Sequence, residues 1–434
     1  MNDKFRNRLV EKTTSDLKSE AASFSDFKLN KQLLNAVSLK GYSTPTEIQK
    51  KAIPLISSGH DVIGIAQTGT GKTAAYLLPI LMKLKYHQGN EPRALILAPT
   101  RELAIQINGE FVSFSEYLDL RSVSLVGGTG KKSQITELEN DPDFIIATPG
   151  RFMDLYLEGH IATRSIKTMV LDEADKMMDM GFMPQIRRIL EIVPNKRQNL
   201  LFSATMPDQV LKLSEEFLEF PMKVEVTSQA TTASTIEQKV YAVPNFKTKV
   251  NLLYYLLGGK KFKRVIIFVK TKGNANNLFK FIHRKITEDV RVIHGNKDQN
   301  TRLNAFNDFK KGNVRILVAT DVVARGIDIS MVSHVINFDV PLVYEDYVHR
   351  IGRTGRANQK GVALTFVNQA EEYHMEGIEK LINKKLKRSQ IPADVIVEET
   401  SFEESQQIAR DIDYQKKKRD PNYQGAFHSK KYRK

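Results

Sequence analysis

The apolar run Val62–Ile65 passes directly into AQTGTGKTAAY, residues 66–76, which opens an apolar helical pattern. A strand that hands over to a glycine-rich turn and then a helix is the setting of a phosphate-binding loop. Gly69 and Gly71 let backbone N–H groups approach the β- and γ-phosphates at a helix N-terminus, where the positive end of the peptide dipoles lies. Lys72 would neutralise those phosphates and Thr73 would ligate Mg²⁺. Gln67, Thr68 and Thr70 supply the rest of the loop. Ala66 stands where the GxxxxGKT pattern has its first glycine.

The rest of the chain agrees with an α/β class. Short apolar runs at 62–66, 94–98, 123–126, 144–148, 169–171 and 200–202 alternate with helical patterns. Near-continuous apolar strands separated by helices predict a parallel sheet buried on both faces. A Ser/Thr/Ala-rich stretch at 227–235 reads as a linker. A second series then begins, with strands expected at 239–243, 265–269, 290–293, 316–320, 335–338 and 362–367. The expected organisation is an extension at 1–22, α/β domains at 23–226 and 236–390, and an acidic-then-basic, disordered tail at 391–434. VIGIAQTGTGKTAA and VIIFVKTKGNANNL read as loose counterparts in the two domains, and only the first keeps Gly-Lys-Thr. One nucleotide-phosphate site per chain is therefore expected.

Composition narrows the chemistry. The 434 residues carry 65 basic and 50 acidic side chains, a net charge of +15, which favours a polyanionic partner such as nucleic acid. With no cysteine, disulfides, thiolate zinc sites and a cysteine nucleophile are excluded. The nine histidines show no metal-ligand spacing. No apolar run approaches the roughly 20 residues a membrane helix needs, and the N-terminus lacks a signal-peptide core, so no membrane partner and a cytoplasmic location are expected.

Further motifs fall at predicted strand ends. MVLDEAD, residues 169–175, places Asp172 to hold Mg²⁺ and Glu173 to activate water, a moderate signal alone and a strong one beside the phosphate loop. PTRELA (99–104), GGTG (127–130), TPGR (148–151) and SAT (203–205) fall on the same sheet edge, where open α/β sheets bind ligands. In HRIGRTGR, residues 349–356, Arg353 and Arg356 are three apart, so they read either as catalytic arginines supplied to a phosphate or as a structural ion-pair cluster.

Taken together, these motifs over about 23–370 resemble those of the DEAD-box RNA helicases of helicase superfamily two. GYSTPTEIQ, IIFVKTK, HGNKDQNTR and ATDVVARGID join the set, and KRQNLLFSATMP with HGNKDQ is most similar to the RhlE-type group. The resemblance implies two tandem RecA-like domains that close on ATP and single-stranded RNA. It assigns the adenine site to Phe24, Tyr42, Thr46 and Gln49, and the ribose or γ-phosphate region to Asp328. It assigns coupling to Ser203, Thr205 and His349. RNA contacts would fall on Thr100, Arg101, Gly128, Thr148, Arg151, Arg302 and Thr320. Lys72, Glu173, Arg353 and Arg356 would carry catalysis. An RNA clamp with little unwinding and a DNA translocase are the competing readings. Ribosome-assembly or RNA-degradation machinery would be compatible partners.

Overall fold

The computed structural model describes residues 23–67, 69–89, 91–226, 236–259, 261–321, 332–355, 361–420, 422, 423 and 425. The expected extension at 1–22, the linker at 227–235, and Thr68, Asp328 and Arg356 lie outside the described residues. The chain divides into two compact units, one before and one after the linker region.

In the first unit the strands are β1 (Val62–Ile65), β2 (Ala94–Leu97), β3 (Ser122–Leu125), β4 (Phe144–Ala147), β5 (Thr168–Leu171), β6 (Gln198–Ser203) and β7 (Met222–Glu225). They form one parallel sheet in the order β3-β4-β2-β5-β6-β1-β7. Alternate residues feed two cores. Ala94 and Ile96 point to one face, Leu95 and Leu97 to the other. Fully burying such a side chain stabilises the fold by about 1.5–3 kcal/mol, which is why both faces must be apolar. Gly64 in β1 is required by close approach. A Cβ there would lie 2.4 Å from the Phe202 ring.

The second unit contains β8 (Ile236–Ala242), β9 (Val265–Phe268), β10 (Val290–Ile293), β11 (Ile316–Ala319), β12 (His334–Asn337), β13 (Gly361–Val367) and β14 (Arg388–Ser389). Its parallel order is β10-β11-β9-β12-β13-β8-β14. This is the same permutation as in the first unit, strand for strand. The topology corrects the expected repeat. The counterpart of β1 is β8, so the phosphate loop corresponds to the turn at Val243–Asn245. VIIFVKTKGNANNL, which contains β9, instead matches β2 and PTRELA.

A second correction concerns the C-terminus. The segment from 391 onward is not a disordered tail over its described length. Residues 396–404 pack along the helix Phe246–Leu257, and Phe402–Arg419 form a helix capped by Ser401. Asn245 donates to Glu398 O at 2.6 Å and Asn251 donates to Ile396 O at 2.9 Å. Gln415 donates to Ala370 O at 2.9 Å, and Arg419 pairs with Glu376. The final residues 426–434 lie outside the described ones.

Candidate active site

Every strand of the first sheet runs the same way, so the loops after β1 to β6 share one edge. Ala66 continues the ladder, its N–H donating to Ser203 O at 3.0 Å, and its side chain is buried. A methyl group therefore fits where the usual pattern has glycine. Thr70 closes the loop by donating to Gln67 O at 2.6 Å. Gly69 and Gly71 have φ of 86° and 91°, values that favour glycine. The helix Lys72–Leu84 starts at once, with Gly71 as its cap.

Lys72 is 6 % exposed, and its ammonium has no hydrogen-bond partner among the described residues. A buried, unpartnered cation is costly unless a ligand completes it. Asp172, at the end of β5, is 2 % exposed. Its Oδ2 accepts from the Tyr76 hydroxyl at 2.9 Å and its Oδ1 from the Glu173 N–H at 2.9 Å. Burial raises the proton affinity of Asp172, while Lys72, Tyr76 and the Glu173 N–H oppose that shift. Burial, then the adjacent Asp172, pushes the Tyr76 hydroxyl well above its ordinary range. Glu173 sits at φ 53°, ψ 51°, a left-handed conformation that a side chain seldom adopts, at the turn into the helix Ala174–Asp179. These residues fit a nucleotide and its cation. Lys72 and the glycine turn offer the phosphate cradle. One carboxylate and the Thr73 hydroxyl form a sparse donor set, which suits Mg²⁺ held largely by water and phosphate oxygens.

Gln49 joins the base side of the site to this cradle. It is 2 % exposed, accepts from the Thr46 N–H at 2.8 Å and donates to Gly71 O at 3.1 Å. An amide has two N–H groups and two lone pairs, so one of each is left for a base edge. Phe24 is a core residue, 3 % exposed, packed on Phe27 and stacked on Tyr42 with ring centroids 6.2 Å apart. Tyr42 carries the exposed ring of that pair, at 37 %.

The other loops form a second cluster on the same unit. The Arg101 guanidinium lies over Gly127 and Gly128, where a Cβ on Gly128 would meet Arg101 Nη1. Gln134 fixes that loop. It accepts from the Val126 N–H at 3.0 Å and donates to Val126 O at 3.0 Å and to Thr129 Oγ1 at 2.6 Å. Thr100 caps the helix Arg101–Phe114 by accepting from the Leu103 N–H at 3.3 Å. Thr148 begins the helix Pro149–Leu157, from which Arg151 presents two buried N–H groups, Nε and Nη1, with no hydrogen-bond partner among the described residues. Ser203 and Thr205 converge on Asp175. The Asp175 N–H donates to Ser203 Oγ at 3.2 Å, and its Oδ2 accepts from the Thr205 N–H at 3.0 Å and hydroxyl at 2.9 Å.

Comparison with known proteins decides the family. Residues 46–213 match the DEAD/DEAH box helicase model, and residues 248–358 match the helicase conserved C-terminal domain. The chain belongs to the DEAD/DEAH box helicase family. It is 40 % identical over 370 residues to the DEAD-box ATP-dependent RNA helicase RhpA of Helicobacter pylori, covering 85 % of this chain and 74 % of that one. It is 40 % identical over 385 residues to the ATP-dependent RNA helicase RhlB of Pseudomonas putida, covering 86 % and 96 %. Among solved structures it resembles S. cerevisiae Dbp5 bound to RNA and ADP BeF3, with TM-score 0.77, 32 % identity, and 86 % and 96 % of the two chains covered.

In the second unit of this helicase, Arg353 and Thr320 are buried at 3 % and 7 % exposure. Arg302 lies on the helix Gln299–Lys311, and His349 on Tyr344–Ile351, with its Nδ1 3.9 Å from Asp346 Oδ1. Arg350, which sits within HRIGRTGR but is not singled out by the motif, is the anchor there. It pairs with both oxygens of Asp321 at 2.6 and 2.7 Å and donates to Asn337 Oδ1 at 3.1 Å and Asp339 O at 2.8 Å. Tyr76, Gln134, Asp175 and Arg350 all escape a reading of the sequence. Tyr76 alone leaves a usable signal, four residues after Lys72 and so on the same helix face.

No helix among the described residues is long and apolar enough to cross a membrane.

Proposed function

We propose that this chain is an RNA-stimulated ATPase that locally unwinds short RNA duplexes or remodels RNA–protein complexes. The observation that carries this reading is the unpartnered Lys72 ammonium, buried under a two-glycine turn beside the pinned carboxylate of Asp172. Lys72 binds the phosphates, and Thr73 and Asp172 hold Mg²⁺, which supplies charge neutralisation. Glu173 orients and deprotonates the attacking water. Gln49 and Thr46 read the adenine edge, with Tyr42 beside them. RNA is held by Thr100, Arg101, Gly128, Thr148 and Arg151 of the first unit, and by Arg302 and Thr320 of the second. These contacts reach phosphates and 2′-hydroxyls, so binding is nearly independent of sequence. Asp175 links the DEAD segment to Ser203 and Thr205, giving a path between nucleotide and RNA loops. ATP and RNA then bind cooperatively, and the coupling is reciprocal. Asp328, at the ribose or γ-phosphate region, His349, as a coupling residue, and the catalytic arginines Arg353 and Arg356 complete the assignment. KRQNLLFSATMP and HGNKDQ support placement in the RhlE-type group.

Turnover with RNA, with DNA of the same sequence, and in Arg356→Ala tests the reading. RNA should stimulate hydrolysis far more than DNA. Arg356→Ala should cut the stimulated rate by ~10³ or more while ATP still binds. Equal stimulation by DNA, or near-normal turnover in the variant, would overturn it.

A further inference from the structure

Tyr76 is a buried hydroxyl that the proposed mechanism does not use. It is 0 % exposed, lies one helical turn after Lys72, and packs on Phe202 with ring centroids 5.2 Å apart. That packing would serve equally well with a phenylalanine. The hydroxyl is what sets it apart, because it donates to Asp172 Oδ2 at 2.9 Å. Thr73, three residues back on the same helix, lowers the proton affinity of that phenol. The phenol is therefore bonded to one of the two side chains assigned to the cation.

We propose that Tyr76 is a positioning residue that fixes the Asp172 carboxylate for the nucleotide-bound cation. The inference rests on the nucleotide reading given above. Asp172 is held at both ends, Oδ1 by the Glu173 N–H and Oδ2 by Tyr76. Each oxygen keeps a free lone pair, directed by the bond already made. Without the phenol the carboxylate can turn about its last torsion. Lys72, which has no hydrogen-bond partner among the described residues and whose charge already acts on Asp172, would then draw it into an ion pair. Such a pair would occupy the carboxylate that the cation needs. Tyr76 thus serves two ends: it orients Asp172 and leaves the Lys72 ammonium available for phosphate.

The test is equilibrium binding of a fluorescent ATP analogue to the full chain, titrated with Mg²⁺ and repeated in EDTA. In Tyr76→Phe the Mg²⁺ concentration for half-maximal binding should rise about threefold or more, the effect of losing one hydrogen bond to a charged group. In EDTA the affinity should fall by a clearly smaller factor than in Mg²⁺, because there only the Lys72 contact to phosphate is affected. A Mg²⁺ titration that superposes on that of the unaltered protein would overturn the proposal, as would equal losses with and without Mg²⁺. Should Tyr76→Phe disturb packing, a cycle with Asp172→Asn separates the roles. An effect of Tyr76→Phe that disappears when Asp172→Asn is already present supports action through the carboxylate; one that persists there overturns it. Absence of Mg²⁺-dependent nucleotide binding in the unaltered protein would instead sink the nucleotide reading.

Discussion

The two units share one strand permutation but finish the turn after their first strand in opposite ways. After β1 the chain makes a glycine turn, and the helix that follows starts with a buried lysine, Lys72, that has no hydrogen-bond partner among the described residues. After β8 the turn is Val243–Asn245, with no glycine, and the polar groups at the helix start are engaged. Asn245 accepts from the Thr248 N–H at 2.8 Å and donates to Glu398 O and Thr400 Oγ1. The Phe246 N–H donates to Glu404 Oε1 at 2.7 Å. The carboxylate of Glu404 thus takes, in the second unit, the kind of position that phosphate takes at a helix N-terminus. The buried lysine of this helix is Lys249, 3 % exposed and paired with Glu371 at 2.7 Å and Asp339 at 3.4 Å. Identical topology therefore leaves a buried lysine without a hydrogen bond at the helix start where we place the nucleotide, and a helix start closed by its own chain in the other unit. The difference lies in whether the polar groups there, Lys72 on one side and Asn245 with the Phe246 N–H on the other, have partners among the described residues.

The two buried lysines give the sharpest contrast. Lys72→Ala removes a charge that makes no hydrogen bond among the described residues, so it should lower RNA-stimulated turnover by ~10²–10³ and change the melting temperature far less than a change at Lys249 does. Lys249→Met leaves the buried Asp339 and the partly buried Glu371 without their shared cation, and should cost about 3–5 kcal/mol of the second unit's stability. Burial opposes the charged form of Lys249, but Glu371 and Asp339 outweigh it and raise its proton affinity. On the alkaline side the contribution of the Lys249 charge is thus complete up to pH about 10.5 and is lost only above that. Nucleotide affinity measured on Lys249→Met should be unchanged. A lysine pair that behaved alike in both assays would erase the distinction between the units.

Glu404 and Asn245 test the seal itself. Asn245→Ala should cost about 1–2 kcal/mol and Glu404→Ala about 1 kcal/mol, the usual range for a lost helix cap or first-turn anion. Denaturant unfolding reads both. Nucleotide stoichiometry by calorimetry should stay at one per chain. A second nucleotide bound by Glu404→Ala would show that the C-terminal segment masks a site instead of completing a fold.

Much of this architecture is legible in the sequence, and the gaps have physical causes. The inner strands stand out because a parallel strand buried on both faces is a run such as Phe144–Ala147 or Val265–Phe268. The edge strands β7 and β14 do not. In β7, Lys223 and Glu225 alternate with Met222 and Val224, and β14 has only Arg388 and Ser389. The repeat misaligns because VIIFVKTKGNANNL resembles the phosphate-loop segment in letters, whereas its place in the sheet is that of β2. The chemical loops are legible because phosphate chemistry restricts residue types. The residues that hold those loops are not. Gln134 is one polar residue on a helix that is mostly polar, and nothing local marks it as the partner of Val126. The C-terminal helix misleads for a related reason. Beyond Ile391 and Val395, which pack in the second unit's core, docking of the C-terminal segment runs through hydrogen bonds from Asn245, Asn251 and Gln415, so its helix lacks the apolar stripe that announces packing.

A smaller effect should separate the units by pH. His294, on the loop after β10, is 2 % exposed, with Nε2 3.0 Å from Asn276 Oδ1 and Nδ1 accepting from the Asn296 N–H at 3.3 Å. The ring is therefore neutral, with its proton on Nε2. Burial, and then Lys297, Lys272 and Arg302, lower its proton affinity below the ordinary value of 6.5. His334 and His374, in the same unit, are lowered too, each chiefly by burial. A base whose folded pKa is depressed contributes stability above its unfolded pKa and loses it as pH falls below that value. Below about pH 6.5 the unfolded chain takes up these protons first. Each such group then removes at most about 1.4 kcal/mol per pH unit, and less as the folded ring itself begins to protonate. Melting followed from pH about 7.5 down to about 5.5 should show the second unit weakening. Replacing His294 with glutamine, which stays neutral, should reduce that slope, whereas an unchanged slope would place the pH sensitivity elsewhere in the unit.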